Sequence, residues 1–300
     1  QGAQKVGMGK DLADRFPAAR DAFAAIDEAL GAPLSRIMWE GPDEELTRTH
    51  NAQPAILAHS CAVLAVAGER LLAGARAAAG HSLGEYTAHV AAGTFSAEDA
   101  ARLVRRRGEL MYQAGLARPG AMAAVLGLDT AAVEEACQGA SGGGAVAVAA
   151  NLNAPEQTVI SGDPAAVERA GEACRARGAK RVVPLKVSGA FHSPLMAPAA
   201  DGLRAAIAAV AMCQPRIPVL ANASAEPVAS AADAARLLVA QLTTPVRWVD
   251  CMRAADRLAP GATYVEVGPG NVLSGLVKRV VPGAATITLG TADDLERFLA

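Results

Sequence analysis

Gly80-His81-Ser82-Leu83-Gly84 is the stretch of this chain whose residue types and spacing most directly suggest chemistry. It fits G-x-S-x-G, in which a serine sits on a tight turn between strand and helix and the first amides of the helix face any oxyanion formed beside the hydroxyl. The pattern predicts that both glycines are required because the neighbouring backbone leaves no room for side chains. An N-cap serine in a glycine-rich turn would produce the same five residues. The pentapeptide alone leaves both readings open.

A serine hydroxyl is almost fully protonated near neutral pH, so a nucleophilic role needs a base within hydrogen-bond reach. The chain offers five histidines. His50 and His59 lie in or near an early helix, where a surface or packed histidine is the simpler reading. His89 follows the serine along its predicted helix and points away from the helix start. His81 adjoins Ser82 and cannot easily turn its ring onto that hydroxyl. His192, in "KVSGAFHSPLM", is flanked by Ser-Gly and Ser-Pro. Those turn formers place it on a loop, where catalytic side chains concentrate, and favour it as the base.

Arg105, Arg106 and Arg107 are consecutive on a predicted helix, so at about 100° per residue they cannot share a face. At most one points inward, and a buried guanidinium near the serine would pair bidentately with a substrate carboxylate. "EVGPGN" has the glycines of a phosphate loop but lacks the following Lys-Ser/Thr, which leaves a structural turn before a helix. Met111 and Met122 read as pocket wall or core. Asn153 is adequately explained as a turn former.

The elements that must position these residues are legible from periodicity. Residues 10–30 and 51–75 read as helices, the second apolar on most sides and therefore buried. Gly93 is the expected stop of the helix after Ser82, and Ser96 the N-cap of the next, which has acids in its first turn. Residues 120–187 change rhythm. "GAMAAVLGL", "GAVAVAANLN", "QTVISG" and "AKRVVPLKV" read as strands, and "DTAAVEEACQGA" and "DPAAVERAGEACRARG" as helices, with Pro164 and Gly178 marking the ends of the second. The order βαββαβ is the split ferredoxin-like unit, expected as a small insertion. Beyond residue 200, strands at "IPVLANASA" and "TYVEV" alternate with helices, which predicts a mostly parallel α/β sheet. The expected fold is therefore α/β. It comprises a larger hydrolase-like subdomain over 1–117 and 188–300, and a ferredoxin-like subdomain over 118–187.

With 52% hydrophobic and 19% charged residues, the chain can bury a substantial core. A net charge of −2 gives no general attraction to nucleic acid or anionic lipid, so neither partner is expected. The five cysteines are scattered, without a CxxC pair or Cys/His cluster, and predict free thiols in a reducing cytosol and no metal site. No run approaches 18 consecutive uncharged apolar residues and the N-terminus lacks a signal-peptide layout, so a soluble, cytoplasmic protein is expected. Because the chain opens at Gln1 in a turn-like stretch with no strand before it, further residues are expected upstream in the native protein.

"QGAQ", "GHSLGEYTA", "RRRGELM", "SGAFHSPLM", "QLTTPVRW" and "EVGPGNVLSGL" occur here in the same order and spacing as in a known family. Across essentially its whole length the chain resembles the malonyl-CoA:acyl carrier protein transacylases of fatty-acid synthesis and the related acyltransferase domains of polyketide synthases. The resemblance implies that Ser82 is the nucleophile, His192 its base and Arg107 the carboxylate-binding group. It also implies that the main-chain carbonyl of Gln241 orients His192 in place of an acid, and that the amides of Leu83 and Gln1 form an oxyanion hole. Phe191 resembles the malonyl-selective form of its motif, where a bulky ring crowds an α-methyl group, and His81 and Met111 fall among the pocket residues. The implied partners are malonyl-CoA and an acyl carrier protein, with no cofactor, and the family is often monomeric. A free-standing acyltransferase of a polyketide assembly line and a serine thioesterase or hydrolase are the competing readings.

Overall fold

The computed structural model describes residues 2–187 and 189–300. The predicted first helix is two helices, α1 (Lys10–Arg15) and α2 (Pro17–Leu30). Pro17 forces the residue before it out of the helical region, and Phe16 is extended at φ −122° and ψ 113°. Short helices α3 (Leu34–Glu40) and α4 (Asp43–Thr47), not foreseen from the pattern, lead into α5 (Thr49–Ala73). With a mean hydropathy of 1.5 over its most apolar window, α5 is long and apolar enough to cross a membrane. In this fold it packs between α2 and α7 (Ala97–Ala117), and its apolar residues line the main core.

Between those helices the chain makes β1 (Ala78–Ala79) and α6 (Gly84–Ala91). Gly93, at φ 73°, supplies the left-handed residue that ends α6. Ser96 then caps α7 by accepting from the Asp99 amide, as the sequence predicts.

The next segment runs β2 (Ala121–Leu126), α8 (Thr130–Ala140), β3 (Ala147–Ala154), β4 (Gln157–Gly162), α9 (Pro164–Ala176) and β5 (Arg181–Pro184). The strands form an antiparallel sheet in the order β3-β4-β2-β5, and α8 and α9 pack side by side against it. Between them lies a core of its own, including Val125, Val133, Cys137, Ile160, Val167 and Cys174.

The remainder comprises α10 (Ala197–Ala208), β6 (Val219–Leu220), α11 (Ala231–Ala240), α12 (Trp248–Leu258), β7 (Tyr264–Val267), α13 (Val272–Val280), β8 (Thr286–Leu289) and α14 (Ala292–Leu299). The sequence did not suggest β8 or α14. The mostly parallel sheet expected for this part is not a single sheet. Among the described residues it is two separate parallel pairs, β1 with β6 and β7 with β8. These strands are short and flanked by Ala-rich helices, so helix-on-helix packing carries most of the core.

Gly108 shows how tight that packing is. A Cβ there would lie 2.6 Å from His50 Cα and 2.9 Å from the Thr49 carbonyl oxygen, because α7 meets the start of α5 backbone to backbone. Gly275, in the middle of α13, faces open space. Replacing glycine by alanine in a helix is worth about 0.5–1 kcal/mol, and Gly275→Ala should gain it. Gly108→Ala should instead lose about 1–2 kcal/mol, since overpacking outweighs the helix preference. Denaturant midpoints check both, and a stabilised Gly108→Ala would contradict the packing described.

Candidate active site

Ser82 sits where β1 gives way to α6, at φ 54°, a left-handed conformation that a serine holds only under constraint. Hydrogen bonds to the turn's main chain hold it. The Ser82 amide donates to Asn222 Oδ1 at 2.7 Å, the Gly84 amide to the His81 carbonyl, and the Glu85 amide to the Ser82 carbonyl. Gly80 is required as expected, for a Cβ there would lie 1.9 Å from the Gly84 oxygen. Gly84 is not required on steric grounds, since a Cβ at that position meets nothing within 4 Å. The turn folds its carbonyl toward Gly80 and leaves the other side of Gly84 open.

His192 reaches the serine from the loop after β5. Ser193 Oγ ties that loop by donating to the Ala190 carbonyl and accepting from the Leu195 amide. Ser82 Oγ lies 2.7 Å from His192 Nε2, and His192 Nδ1 lies 2.8 Å from the Gln241 main-chain oxygen. A carbonyl can only accept, so Nδ1 carries the proton and Nε2 is free to accept from the hydroxyl. Burial, then the Arg107 charge, push His192 down to about 3. The imidazole is neutral at neutral pH and available as a base.

Of the three consecutive arginines, Arg106 is exposed and pairs with Glu109, and half-buried Arg105 donates to Asn51 Oδ1. Arg107 is 1% exposed and turns inward, as the helical period requires. Its Nη2 donates to Ser82 Oγ at 3.0 Å and to Gln241 Oε1 at 2.9 Å, its Nη1 donates to Gln53 Oε1 at 2.6 Å, and the guanidinium stands over the Tyr86 ring. Its buried Nε–H has no partner among the described residues. Desolvation lowers its pKa, yet a guanidinium remains charged at any working pH.

The other expected site residues fall around this centre. Leu83 is the residue just before α6, and its amide hydrogen has no acceptor among the described residues. Met111 is buried against the Gln53 side-chain amide, and Phe191 is buried immediately before the base. His81 faces away from the serine, with Nε2 2.8 Å from Asn153 Oδ1 and its ring tilted against Trp248. Asn153, read from sequence as a turn former, therefore fixes a side chain in the elbow. Gln1 lies outside the described residues. In "EVGPGN", the amides of Leu273 and Ser274 at the start of α13 are taken by the Glu266 carboxylate, so that turn is structural.

Sequence reasoning missed Gln53, Asn222 and Glu85. The first two are lone amides with no motif around them. Glu85 lay within the quoted "GHSLGEYTA", but an acid in the first turn of a helix gave no signal of a buried role. Nothing among the described residues gathers three metal-ligating side chains.

The buried titratable groups make the fold acid-sensitive. His59, His81 and His89 are held near 4 and His192 near 3, each first by burial, against 6.5 for a free imidazole. As pH falls below 6.5 the unfolded chain takes up protons that these histidines refuse, and stability drops. Glu85, raised to about 7 chiefly by burial, binds its proton first in the folded state and opposes the trend. Together these groups should remove on the order of 5 kcal/mol of unfolding free energy between pH 7 and pH 5. Urea unfolding at the two pH values measures it, and unchanged stability would contradict the assignment.

Comparison with known proteins gives the family of the chain. The acyl transferase domain family matches residues 1–290. A malonyl CoA-acyl carrier protein transacylase of Bacillus subtilis (strain 168) is 45% identical over 297 residues, covering 99% of this chain and 93% of that protein. An acyl carrier protein S-malonyltransferase from Vibrio cholerae O1 biovar eltor matches in structure with a TM-score of 0.94 at 40% identity, covering 99% of this chain and 97% of that one. A malonyl-transacylase solved in complex with its type II PKS acyl-carrier protein matches with a TM-score of 0.93 at 40% identity, over 99% of this chain and 95% of that one. The chain belongs to the acyl transferase family and is an acyltransferase.

Proposed function

We propose that this enzyme moves a malonyl group from malonyl-CoA to the phosphopantetheine thiol of an acyl carrier protein, through a malonyl ester on Ser82, in fatty-acid biosynthesis. The observation that carries the reading is a buried, permanently charged guanidinium 3.0 Å from the nucleophilic oxygen, with its Nε–H unpaired among the described residues. In a malonyl thioester a single methylene separates carboxylate from reacting carbonyl. A carboxylate on Arg107 therefore brings that carbonyl to Ser82 and no further.

His192 Nε2 takes the hydroxyl proton as Ser82 Oγ attacks the thioester carbon. The oxyanion is held by the Leu83 amide. Collapse breaks the C–S bond, and the departing sulfur takes the proton from His192 to leave as the CoA thiol. The carrier-protein thiol then gives its proton to His192 and attacks the ester carbonyl, and Ser82 recovers its proton as leaving group. Phe191 beside the base disfavours an α-methyl group by about 1–3 kcal/mol, a preference for malonyl and not an exclusion.

A core confined to residues 121–182 supports reading the chain as two subdomains, 1–117 with 188–300 and a ferredoxin-like 118–187. We further read it as a cytoplasmic monomer that needs no cofactor. Supply to a polyketide assembly line is the second reading, favoured by the likeness to a transacylase solved with a type II PKS carrier protein.

Arg107→Ala should lower kcat/KM for malonyl-CoA relative to acetyl-CoA by roughly a hundredfold or more, the scale for losing one partner of a buried charge pair. Steady-state rates with both donors measure this. An unchanged donor ratio would refute the arginine's role.

A further inference from the structure

Glu85, on the first turn of α6, is fully buried and touches none of the reacting atoms, yet it joins the three groups that do the chemistry. Its Oε2 accepts from the Gln241 side-chain amide at 2.7 Å and from the Asn222 main-chain amide at 2.9 Å. The same Gln241 nitrogen donates to the Ser82 carbonyl at 3.0 Å, and Gln241 Oε1 accepts from Arg107 Nη2 at 2.9 Å. Asn222 in turn accepts from the Ser82 amide and donates to the Gly80 carbonyl at 2.8 Å.

A glutamine side chain presents an oxygen on one side and a donor NH2 on the other, and which faces which is set by its neighbours. Arg107 can only donate, so it needs the oxygen. Glu85 Oε2 takes the NH2 and holds the amide in that one orientation. We propose that Glu85 is a positioning residue for carboxylate recognition: by fixing the Gln241 amide it aims Arg107 at the acyl group. The assignment rests on the malonyl reading of the site.

What the role requires is an oxygen at the Oε2 position, not a negative charge. Glu85 Oε1 has no hydrogen-bond partner among the described residues and is where a proton would sit. Burial raises the carboxyl to about 7, so both protonation forms are populated near neutrality, and each presents Oε2 to Gln241 and Asn222. A positional error at a substrate-orienting group lowers transfer of the substrate it orients more than transfer of one it does not touch.

Two variants separate position from charge. Glu85→Asp keeps the charge but withdraws the oxygens by one methylene, whereas Glu85→Gln removes the charge and keeps an oxygen acceptor. The readout is the ratio of kcat/KM for malonyl-CoA to that for acetyl-CoA, with carrier protein as acceptor. Glu85→Asp should cut the ratio at least about tenfold, while Glu85→Gln keeps it within about threefold of the wild type. A purely structural role would lower both rates together and leave the ratio unchanged in both variants, overturning the proposal. The reverse order, with Asp retaining the ratio and Gln losing it, would overturn it equally. A wild-type ratio near one would refute the malonyl reading itself, a failure distinct from loss of the Glu85 role.

Discussion

The site depends on the hydrogen bond from His192 Nδ1 to the main-chain carbonyl of Gln241. It fixes the tautomer, and with it the direction of the proton that leaves Ser82. A neutral carbonyl suits this pocket because the neighbouring cation is Arg107, whose charge already works against an imidazolium. A carboxylate in the same place would favour the imidazolium and would draw the guanidinium away from the acyl group. With an uncharged support, His192 stays a free base and the arginine keeps its unpaired donor.

Gln241 serves two groups at once. Its backbone holds the base and its side chain holds Arg107, so one residue at the end of α11 sets the distance between proton acceptor and carboxylate anchor. The elbow is held as well by Asn222, which binds the main chain on both sides of the turn. Two residues at left-handed φ, Ser82 and His192, face each other across this network. Such strain persists only where surrounding bonds over-determine the backbone, and here the restraints come from α6, α11 and the strand end at Leu220.

The chemistry was more legible in the sequence than the architecture that carries it. G-x-S-x-G pointed to Ser82, turn formers placed His192 on a loop, and the helical period allowed at most one inward arginine. The βαββαβ order was visible because its strands and helices are long and bounded by caps. The parallel pairs of the larger part were less legible, since β1 is two alanines, below what alternation can reveal. The break at Phe16 was signalled by Pro17 and overlooked because the apolar period continues across it. The amide network around Glu85 left no pattern because its members lie far apart in sequence and meet only through tertiary packing.

Intact-protein mass spectrometry after brief incubation with malonyl-CoA tests the central claim most directly, comparing wild type with Ser82→Ala. The account predicts a malonyl adduct on the wild type alone, discharged when holo acyl carrier protein is added. Free malonate accumulating without an adduct, or an adduct that persists in Ser82→Ala, would contradict it.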